Sequence, residues 1–394
     1  MTPDWDLVVV GAGPAGSAAA LGALHHDPSL RVLLLDREEF PRDKPCGDGI
    51  APHVFDALAA VGVEDLHAGW EPLHRFDVTH AGTTAAARMR RPVWVIPRSV
   101  FDARLLARAT AAGAQLRRHR ARTLVRDADR VGVDDLRARV VVGADGAASM
   151  VRAALGRRPG KRAIAIRGYA PTPAGRGGLQ SIVYGDRRHP SYAWSFDRGD
   201  GLANVGYGEF VVDRDDRPTR RQMLAELERL LPGSTAGGGE WRAHHLPLSG
   251  WRPEPSADRV LLTGDAAHLV NPMTGEGIYY AVATGLAAGR AAAAALASGV
   301  PERSGGLYDD AVRGLLGSHL HHTWAAARLS ARPRVLDAGI RAAGRDRRAF
   351  DSLVELGLGD GRITPTLAAG LVRELARGLL PRRHDHHPAT GSLR

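Results

Sequence analysis

Short apolar runs that end in glycine or aspartate recur along the chain and predict buried parallel strands. Four runs have this character: residues 6–10, 31–35, 140–143 and 260–263. Between the first two lies an apolar stretch of small residues, 13–24, which predicts a helix. The beginning of the chain is therefore expected to form a β-α-β unit.

The segment from about residue 160 to 250 has a different pattern, in which apolar and polar residues alternate. Residues 179–184 and 192–196 alternate in this way, and turns rich in Gly and Asp separate such segments. This alternation predicts antiparallel strands with one exposed face. Further helices are predicted over 51–61, from an N-cap at Ser99 to Ala112, and through most of 307–380.

These patterns predict an α/β fold with a discontinuous Rossmann-like domain. Residues 1–160 and 251–300 would form this nucleotide-binding domain, and 161–250 an inserted antiparallel domain. Residues 301–380 are expected to be a helical C-terminal segment, and 381–394 a disordered tail. The apolar stretch from 278 to 300 is rich in Ala and Gly and contains Arg290, so it predicts a packed helix and not a membrane span.

The composition narrows the class of protein. Cys46 is the only cysteine among 394 residues, so no intrachain disulfide and no cysteine-based metal site are expected. This cysteine usage fits a reducing cytoplasm. Asp4 and Asp6 stand where a signal peptide would carry basic residues, which argues against secretion.

The formal net charge of +10 suggests an anionic partner, which could be a nucleic acid, a lipid surface or a substrate. Aromatic residues make up only 5% of the chain, and no basic patch with interleaved aromatics is apparent, which argues against nucleic acid. Peripheral contact with an anionic membrane stays open. The sequence does not indicate an oligomeric state.

A glycine motif, Gly11-Ala-Gly-Pro-Ala-Gly16, follows the first strand and opens the first helix. Gly11 permits a tight turn, Gly13 allows close approach of a pyrophosphate, and Gly16 allows helix and strand to pack closely. Asp36 ends the second strand, where a carboxylate can accept a hydrogen bond from a ribose 2′-hydroxyl. Together these features predict a dinucleotide site, without distinguishing FAD from NAD.

The segment from Leu261 to Ile278 makes that distinction. It contains Gly264-Asp265, then Asn-Pro272, then Gly275-Glu-Gly277 before a helix. Here the chain resembles a family of FAD enzymes that includes the aromatic hydroxylases and the geranylgeranyl reductases. The resemblance implies that Asp265 binds the flavin-side ribose and that the following helix directs its N-terminus at the flavin ring, where it would stabilise negative charge.

Two further segments resemble parts of the same family. Gly143-Ala-Asp145-Gly-Ala-Ala-Ser149 is similar to a motif associated with FAD and with transient NAD(P)H binding. It equally suits a strand-to-helix turn in which Ser149 lies near the N-cap. Arg98 stands where the family places an arginine near the flavin phosphates.

The loop from Phe40 to Gly49 points to the geranylgeranyl reductase group. Its Pro-Arg-Asp-Lys44-Pro-Cys46-Gly47-Asp-Gly sequence resembles a loop that lies beside the flavin in that group. Tyr192-Ala-Trp194-Ser-Phe resembles a segment that lines the substrate cavity, although Asp197 replaces the proline of the family. This replacement leaves the identity of the substrate open but does not affect the prediction of the cofactor.

The resemblance and the motifs give one set of predicted cofactor-binding residues. The set is Gly11, Gly13, Pro14, Ala15, Gly16, Asp36, Arg37, Lys44, Cys46, Gly47, Arg98, Asp145, Gly264, Asp265, Pro272, Gly275, Gly277 and Ile278. Cys46 and Tyr192 are candidate catalytic residues, and Trp194 is a candidate wall of the substrate cavity. Since a second complete glycine motif is missing, NAD(P)H would bind transiently, or another donor would supply electrons.

The implied function is an FAD-dependent reductase of carbon–carbon double bonds in a prenyl or other lipophilic small molecule. Such a double bond is a poor hydride acceptor, so a proton donor must act together with the hydride transfer. Cys46, Tyr184 and Tyr192 are the candidates. A flavin monooxygenase that hydroxylates or epoxidises, a flavin-dependent halogenase, and a protein whose FAD is structural remain as alternatives.

Overall fold

The computed structural model describes residues 4–158, 160–187, 191–211 and 217–379. The predicted tail at 381–394 lies outside the described residues. The strands of the described part are β1 (Trp5–Val10), β2 (Val32–Asp36), β3 (Gly49–Ile50), β4 (Leu73–His80), β5 (Thr83–Val95), β6 (Gln115–Arg118), β7 (Leu124–Arg126), β8 (Val131–Val133), β9 (Leu136–Gly143), β10 (Arg162–Pro171), β11 (Leu179–Tyr184), β12 (Tyr192–Asp197), β13 (Leu202–Val211), β14 (Gly239–Pro247) and β15 (Val260–Leu262).

The helices agree with the apolar patterns to within a few residues. They are α1 (Pro14–His26), α2 (Pro52–Ala59), α3 (Arg98–Ala111), α4 (Met150–Ala154), α5 (Arg220–Leu230), α6 (Ile278–Ala297), α7 (Ser304–Ser330), α8 (Pro333–Arg345), α9 (Arg347–Leu358) and α10 (Pro365–Leu379). Helix α3 begins one residue before the predicted N-cap, because Pro97 and not Ser99 takes the N-cap position. Arg98 thereby becomes the first residue of the helix.

The four predicted apolar runs form the centre of one sheet. Its strand order is β6-β2-β1-β9-β8-β7, and β15 pairs with the far end of β9. The strands β6, β2, β1, β9 and β15 run parallel, so their carboxyl ends meet at one edge. Leu7 and Val9 are fully buried against α1, α3 and α6 on one face, and Val8 is fully buried on the other face in a cluster with β8, β9 and α4. This arrangement confirms the predicted α/β class with a Rossmann-like domain.

Helix α6 packs directly on α1 through positions that only glycine permits. A Cβ at Gly289 would lie 1.9 Å from the carbonyl oxygen of Ala19, and a Cβ at Gly285 would lie 2.3 Å from that of Ala15. By length and composition α6 could cross a membrane, but 83% of its apolar window is buried inside the protein. The helix is a central packing element, and it fixes its N-terminus beside the glycine loop.

The second sheet has the order β14-β10-β13-β12-β11-β4-β5-β3. It is antiparallel except where β11 pairs with β4 in parallel. The sheet was expected within 161–250, but it also includes β4 and β5, which cover most of residues 73–95. Buried and exposed positions alternate only irregularly along these two strands. The domain bounds themselves remain a prediction, while the sheet is larger than the expected insertion.

The C-terminal helices cover one side of this second sheet. Leu336 and Ile340 of α8 belong to an apolar cluster with Val78 of β4 and Ile182 of β11. Helices α9 and α10 pack on α8. His53 of α2 is paired with Glu355 of α9 at 2.9 Å, which links the Rossmann-like part to the helical segment. A space between sheet, helices and glycine loop remains open.

Candidate active site

One large cavity of about 1160 Å³ joins the glycine loop to the second sheet and the C-terminal helices. All the predicted cofactor-binding residues line it except Gly16 and Gly264. The cavity has two parts of different character. We call the part around the glycine loop, Asp36, Arg98 and Asp265 the cofactor end, and the part between the second sheet and helices α7–α10 the apolar arm.

The glycine loop presents a helix N-terminus to the cofactor end. Gly13 is the N-cap of α1, and no side chain caps this helix. Gly11 has a φ of +102°, and a Cβ there would lie 2.3 Å from the carbonyl oxygen of Ala144. At Gly16 a Cβ would lie 1.7 Å from the carbonyl oxygen of Gly11, which explains why this residue packs behind the loop and not on the cavity. Free N–H groups and the helix dipole favour a phosphate here.

Asp36 lies at the carboxyl end of β2, beside the loop. One of its carboxylate oxygens accepts a hydrogen bond from the N–H of Ala12 at 2.8 Å, and the other accepts from the N–H of Glu38 at 3.0 Å. The carboxylate is therefore fixed in place next to the first glycines, with Arg37 beside it on the cavity wall. A ribose hydroxyl at this position would meet an oriented acceptor.

Two arginines share one buried carboxylate at the cofactor end. Arg98 donates to both oxygens of Asp102 at 2.6 and 2.8 Å, and Arg42 lies 3.1 Å from the same group. Burial opposes the charge of Arg98, but attraction to Asp102 and to Cys46 outweighs it and raises the pKa. A Cβ at Gly13 would lie 3.2 Å from an Nη atom of Arg42. The group therefore carries a net positive charge close to the glycine loop.

Lys44 and Asp265, both predicted to bind the cofactor, are paired with each other. The Nζ of Lys44 lies 2.9 Å from an oxygen of Asp265, across 221 positions of the chain. Burial, together with the charge of Lys44, lowers the pKa of the neighbouring His244 to about 4. At neutral pH His244 is thus uncharged. The pair anchors the loop from Phe40 to Gly49 on the turn that precedes α6.

Asp145 takes the turn-capping role that the sequence left open. Its carboxylate accepts hydrogen bonds from the Ser149 hydroxyl at 2.5 Å and from the N–H of Met150 at 2.6 Å. Ser149 is the N-cap of α4 and accepts from the N–H of Arg152. Asp145 also lines the cavity, so a contact with FAD or NAD(P)H stays a prediction.

A buried hydrogen-bond network holds Cys46 between the two parts of the cavity. Asn204 donates to the carbonyl of Cys46 and to the carboxylate of Asp48, both at 2.8 Å. The amide oxygen of Asn204 accepts from the indole N–H of Trp194 at 2.9 Å, and Tyr169 donates to Asp48 at 2.5 Å. The Cys46 thiol lies on the wall of the cavity. Burial raises its pKa, although the charge of Arg98 acts in the opposite direction.

The cavity face of the second sheet follows from its register. Gly206 pairs with Trp194 and Gly208 with Tyr192 across β13 and β12. A Cβ at Gly206 would lie 2.2 Å from the Trp194 ring, so the glycine makes room for the indole. The hydroxyl of Tyr192 donates to the backbone carbonyl of Thr274, just before α6. Trp194 thus lines the cavity, while its role toward a substrate stays a prediction and Tyr192 already has a hydrogen-bond acceptor.

The apolar arm is lined almost entirely by apolar side chains, and Trp194 is the one predicted site residue among them. Its aliphatic and aromatic lining is contributed by β4, β11, β12 and helices α7–α10. These side chains include Phe76, Val78, Ile182, Trp194, Leu329, Val335, Leu336, Ile340, Leu353, Val354, Leu358, Leu367, Leu371 and Val372. An apolar channel of this kind suits a long lipophilic chain.

Several site residues escaped the sequence analysis. Arg42, Asp48, Asn204, His244 and Glu276 all lie on the cavity or on the network behind Cys46. Arg42, Asp48 and Glu276 lie inside segments whose neighbours were selected, so proximity to a motif was the available signal. Asn204 and His244 had none, because their partners lie far away in the chain.

The residues at the cofactor end fit FAD. The cavity offers the uncapped N-terminus of α1 for phosphates and the fixed carboxylate of Asp36 for a ribose. The N-terminus of α6, with Gly277 as an N-cap that provides no side chain, opens on the same cavity beside Gly47 and Gly275. The α1 N-terminus and Asp36 would hold the dinucleotide part of FAD, and the α6 N-terminus would stabilise negative charge on its flavin.

Comparisons with known proteins agree with this geometry. A family model described as an FAD binding domain matches residues 4–303. The chain is 31% identical over 320 residues to digeranylgeranylglycerophospholipid reductase 2 of Methanopyrus kandleri, covering 74% of this chain and 78% of the relative. It is 32% identical over 327 residues to the menaquinone reductase of Mycolicibacterium smegmatis, covering 75% and 76%.

A solved structure also has this fold. It is a geranylgeranyl bacteriochlorophyll reductase-like protein from Thermoplasma acidophilum, with a TM-score of 0.77 and 19% identity, covering 95% of this chain and 98% of the other. Fold, site and relatives together define an FAD-dependent oxidoreductase. Within that class, the chain belongs to the geranylgeranyl reductase family. The predicted family and cofactor are thus confirmed.

Proposed function

We propose that the protein reduces carbon–carbon double bonds in the prenyl chain of a lipophilic substrate. The observation that supports this most directly is that the apolar arm is continuous with the cofactor end at Cys46. A prenyl chain in the arm would bring its double bonds to the flavin side of the cavity, one after another. The relatives named as reductases of prenyl lipids and menaquinone act on molecules of this kind.

The residues around Cys46 would orient the substrate, exclude water and hold a proton. When bound and reduced by the electron donor, FAD would supply a hydride to one carbon of the double bond. Burial raises the pKa of the Cys46 thiol, so that it keeps its proton at neutral pH and can donate it to the other carbon. Tyr192 is a weaker candidate, because its hydroxyl hydrogen is already donated to Thr274. Trp194, held by Asn204, forms the apolar wall opposite.

The electron donor and the place of action belong to the same proposal. NAD(P)H would bind transiently, or another reductant would deliver electrons, since the described chain has a single glycine motif of the dinucleotide type. We place the protein in the cytoplasm with peripheral contact to an anionic membrane, which the net charge of +10 favours. A prenyl substrate would reside in that membrane.

The test is anaerobic reoxidation of the reduced holoprotein by a prenyl lipid dispersed in detergent. We expect the flavin absorbance to return as the lipid gains two hydrogens per double bond in mass spectrometry. For Cys46→Ala we expect stoichiometric FAD but slower reoxidation by the lipid, with Cys46→Ser restoring part of the rate. Unchanged rates in both variants would mean that another group donates the proton.

A monooxygenase would give a different result in this test. On mixing with oxygen, the reduced protein would form a transient flavin–oxygen adduct, and substrate would gain oxygen and not hydrogen. The absence of lipid-driven anaerobic reoxidation together with such a product would replace the reductase assignment. A halogenase would in addition require halide, and a structural FAD would respond to neither test.

A further inference from the structure

We propose that the open end of the apolar arm is a docking face for an anionic lipid bilayer, through which the prenyl chain enters. The docking face consists of four exposed apolar side chains and five exposed arginines. The members are Trp251, Leu315, Leu329, Val372, Arg328, Arg332, Arg334, Arg362 and Arg373. The inference rests on the proposed function for its substrate, but its position follows from exposure and charge alone.

The arm opens to solvent between the end of α7 and α10. Leu329 and Val372 both line the cavity, yet they are 36% and 65% exposed, whereas Leu336, Ile340 and Leu367 farther along the wall are buried. A side chain that lines a cavity and is also exposed lies where that cavity meets the surface. Leu329 and Val372 therefore mark the mouth of the arm.

Two further exposed apolar side chains, Leu315 and Trp251, lie on or beside α7. Leu315 precedes Leu329 by 14 residues, close to four helical turns, so both lie on the same side of the helix. Trp251 packs edge-on against His321 of α7, with ring centroids 5.7 Å apart. Leu315 and Trp251 are 46% and 45% exposed. Tryptophan at such a position is typical of the boundary between lipid and water.

The arginines around the mouth give the face a positive charge. Residues 314–336 contain three arginines and no aspartate or glutamate, while Arg313 is paired with Asp310. Arg328, Arg332 and Arg334 are exposed and form no ion pair with any described residue, and the same holds for Arg362 and Arg373. The guanidinium of Arg328 stacks on Trp324 at 4.5 Å. These charges complement anionic headgroups.

A bilayer suits this face better than a protein partner does. Each methylene that passes from lipid into water costs about 0.8 kcal/mol, so a prenyl chain of many carbons would not cross water unassisted. A mouth with apolar side chains at its edge and arginines around it would let the chain pass from bilayer to arm without that exposure.

The test uses the FAD-loaded protein and flotation with lipid vesicles that contain no substrate. We expect binding to vesicles of phosphatidylcholine mixed with phosphatidylglycerol, weakening as salt rises, and little binding to phosphatidylcholine alone. Reversing three charges together, by Arg328→Glu, Arg332→Glu and Arg334→Glu, should weaken vesicle binding roughly a hundredfold. The matched control is Arg220→Glu with Arg221→Glu, on α5, an exposed pair from a helix that contributes nothing to the cavity.

The apolar part of the face has its own pair of variants. Leu329→Asp with Val372→Asp should abolish vesicle binding, while Leu202→Asp with Val125→Asp, at exposed apolar positions away from the cavity, should leave it unchanged. Retained FAD absorbance and circular dichroism verify that each variant is folded. Vesicle binding of the arginine variant equal to that of the controls would overturn the docking face.

A second readout separates this inference from the proposed function. With prenyl lipid in detergent, the arginine variant should reoxidise as fast as the unaltered protein, whereas with the same lipid in anionic vesicles it should be at least tenfold slower. Equal rates in vesicles would refute the entry route even if the reductase activity stands. No reduction of prenyl lipid in detergent by the unaltered protein would refute the function, while flotation would still decide on the docking face.

Discussion

The two parts of the cavity are built on different physical terms. The cofactor end depends on backbone positions, such as Gly11 and Gly16, where a single Cβ would collide with a carbonyl group. The apolar arm depends on the sum of many side chains, most of which are aliphatic and cannot form hydrogen bonds. A phosphate or a ribose requires donors and acceptors at fixed places, whereas a prenyl chain requires only apolar surface and room. We therefore expect the apolar arm to tolerate substitutions that the cofactor end does not.

The largest expected effect is at Gly16. In Gly16→Ala the new Cβ would lie 1.7 Å from the carbonyl oxygen of Gly11 and 3.2 Å from a side-chain carbon of Val9, so the backbone of the glycine loop would have to shift. We expect the loss of stoichiometric FAD, measured by absorbance of the purified protein, together with a lower unfolding temperature.

The matched control is a glycine in the apolar arm. Gly339 of α8 lines the cavity, and a Cβ there meets nothing within 4 Å. Gly339→Ala should keep its FAD and gain up to about 1 kcal/mol in unfolding free energy, because alanine favours a helix interior. Loss of flavin in both variants would contradict the distinction between the two parts.

The same distinction explains how much the sequence could predict. Gly11, Gly13 and Asp36 could be predicted because the chemistry of a dinucleotide prescribes residue type and spacing, whereas Asp265 was implied by the resemblance to the family. The parallel sheet was predicted from its continuous apolar strands, which are buried on both faces. These elements are local in the chain, and short segments contain all the information that they need.

The rest depended on pairings between distant segments. Asn204 lies 158 positions from Cys46, and no pattern near either residue indicates their contact. Strands β4 and β5 join the second sheet because β4 pairs with β11, about a hundred residues later. The apolar arm is assembled from five or more elements, and its aliphatic side chains are interchangeable. Its position in the molecule therefore depends on the fold and could not be predicted from short sequence segments.

The second effect in size concerns the pair of Lys44 and Asp265. Asp265→Ala removes the predicted ribose ligand and leaves the ammonium of Lys44 without its partner at 2.9 Å. Breaking a largely buried pair on one side is costly, and we expect FAD affinity to fall at least tenfold in titration calorimetry. The double variant Lys44→Met with Asp265→Ala should recover stability but not affinity. Recovery of affinity as well would show that Asp265 acts only through Lys44.

A third substitution fills the apolar arm. Gly339→Phe places a ring in open space on the arm while the cofactor end is untouched. We expect normal FAD content and a decrease of at least tenfold in kcat/KM for a long prenyl substrate, with a smaller decrease for a short one. Gly339→Ala, which adds only a methyl group at the same position, is the control. An equal decrease for both chain lengths would mean that the substrate does not extend along α8.

The smallest effect tests the boundary between the two parts through Asp48. Burial raises the pKa of this carboxyl to about 6, although Tyr169, Arg167, Asn204 and Arg98 favour the charged form. Because its folded pKa lies above the unfolded value, its contribution to stability is complete below about pH 4 and is lost as pH rises through 6. Between pH 5 and 7 the loss amounts to about 1 kcal/mol.

Asp48→Asn suits the left-handed backbone at this position, where φ is +59°, and should remove this part of the pH dependence. Urea unfolding at several pH values measures the difference between the two proteins. Parallel curves would show that Asp48 is charged throughout the range, and that the network behind Cys46 is set by hydrogen bonds and not by the protonation of Asp48.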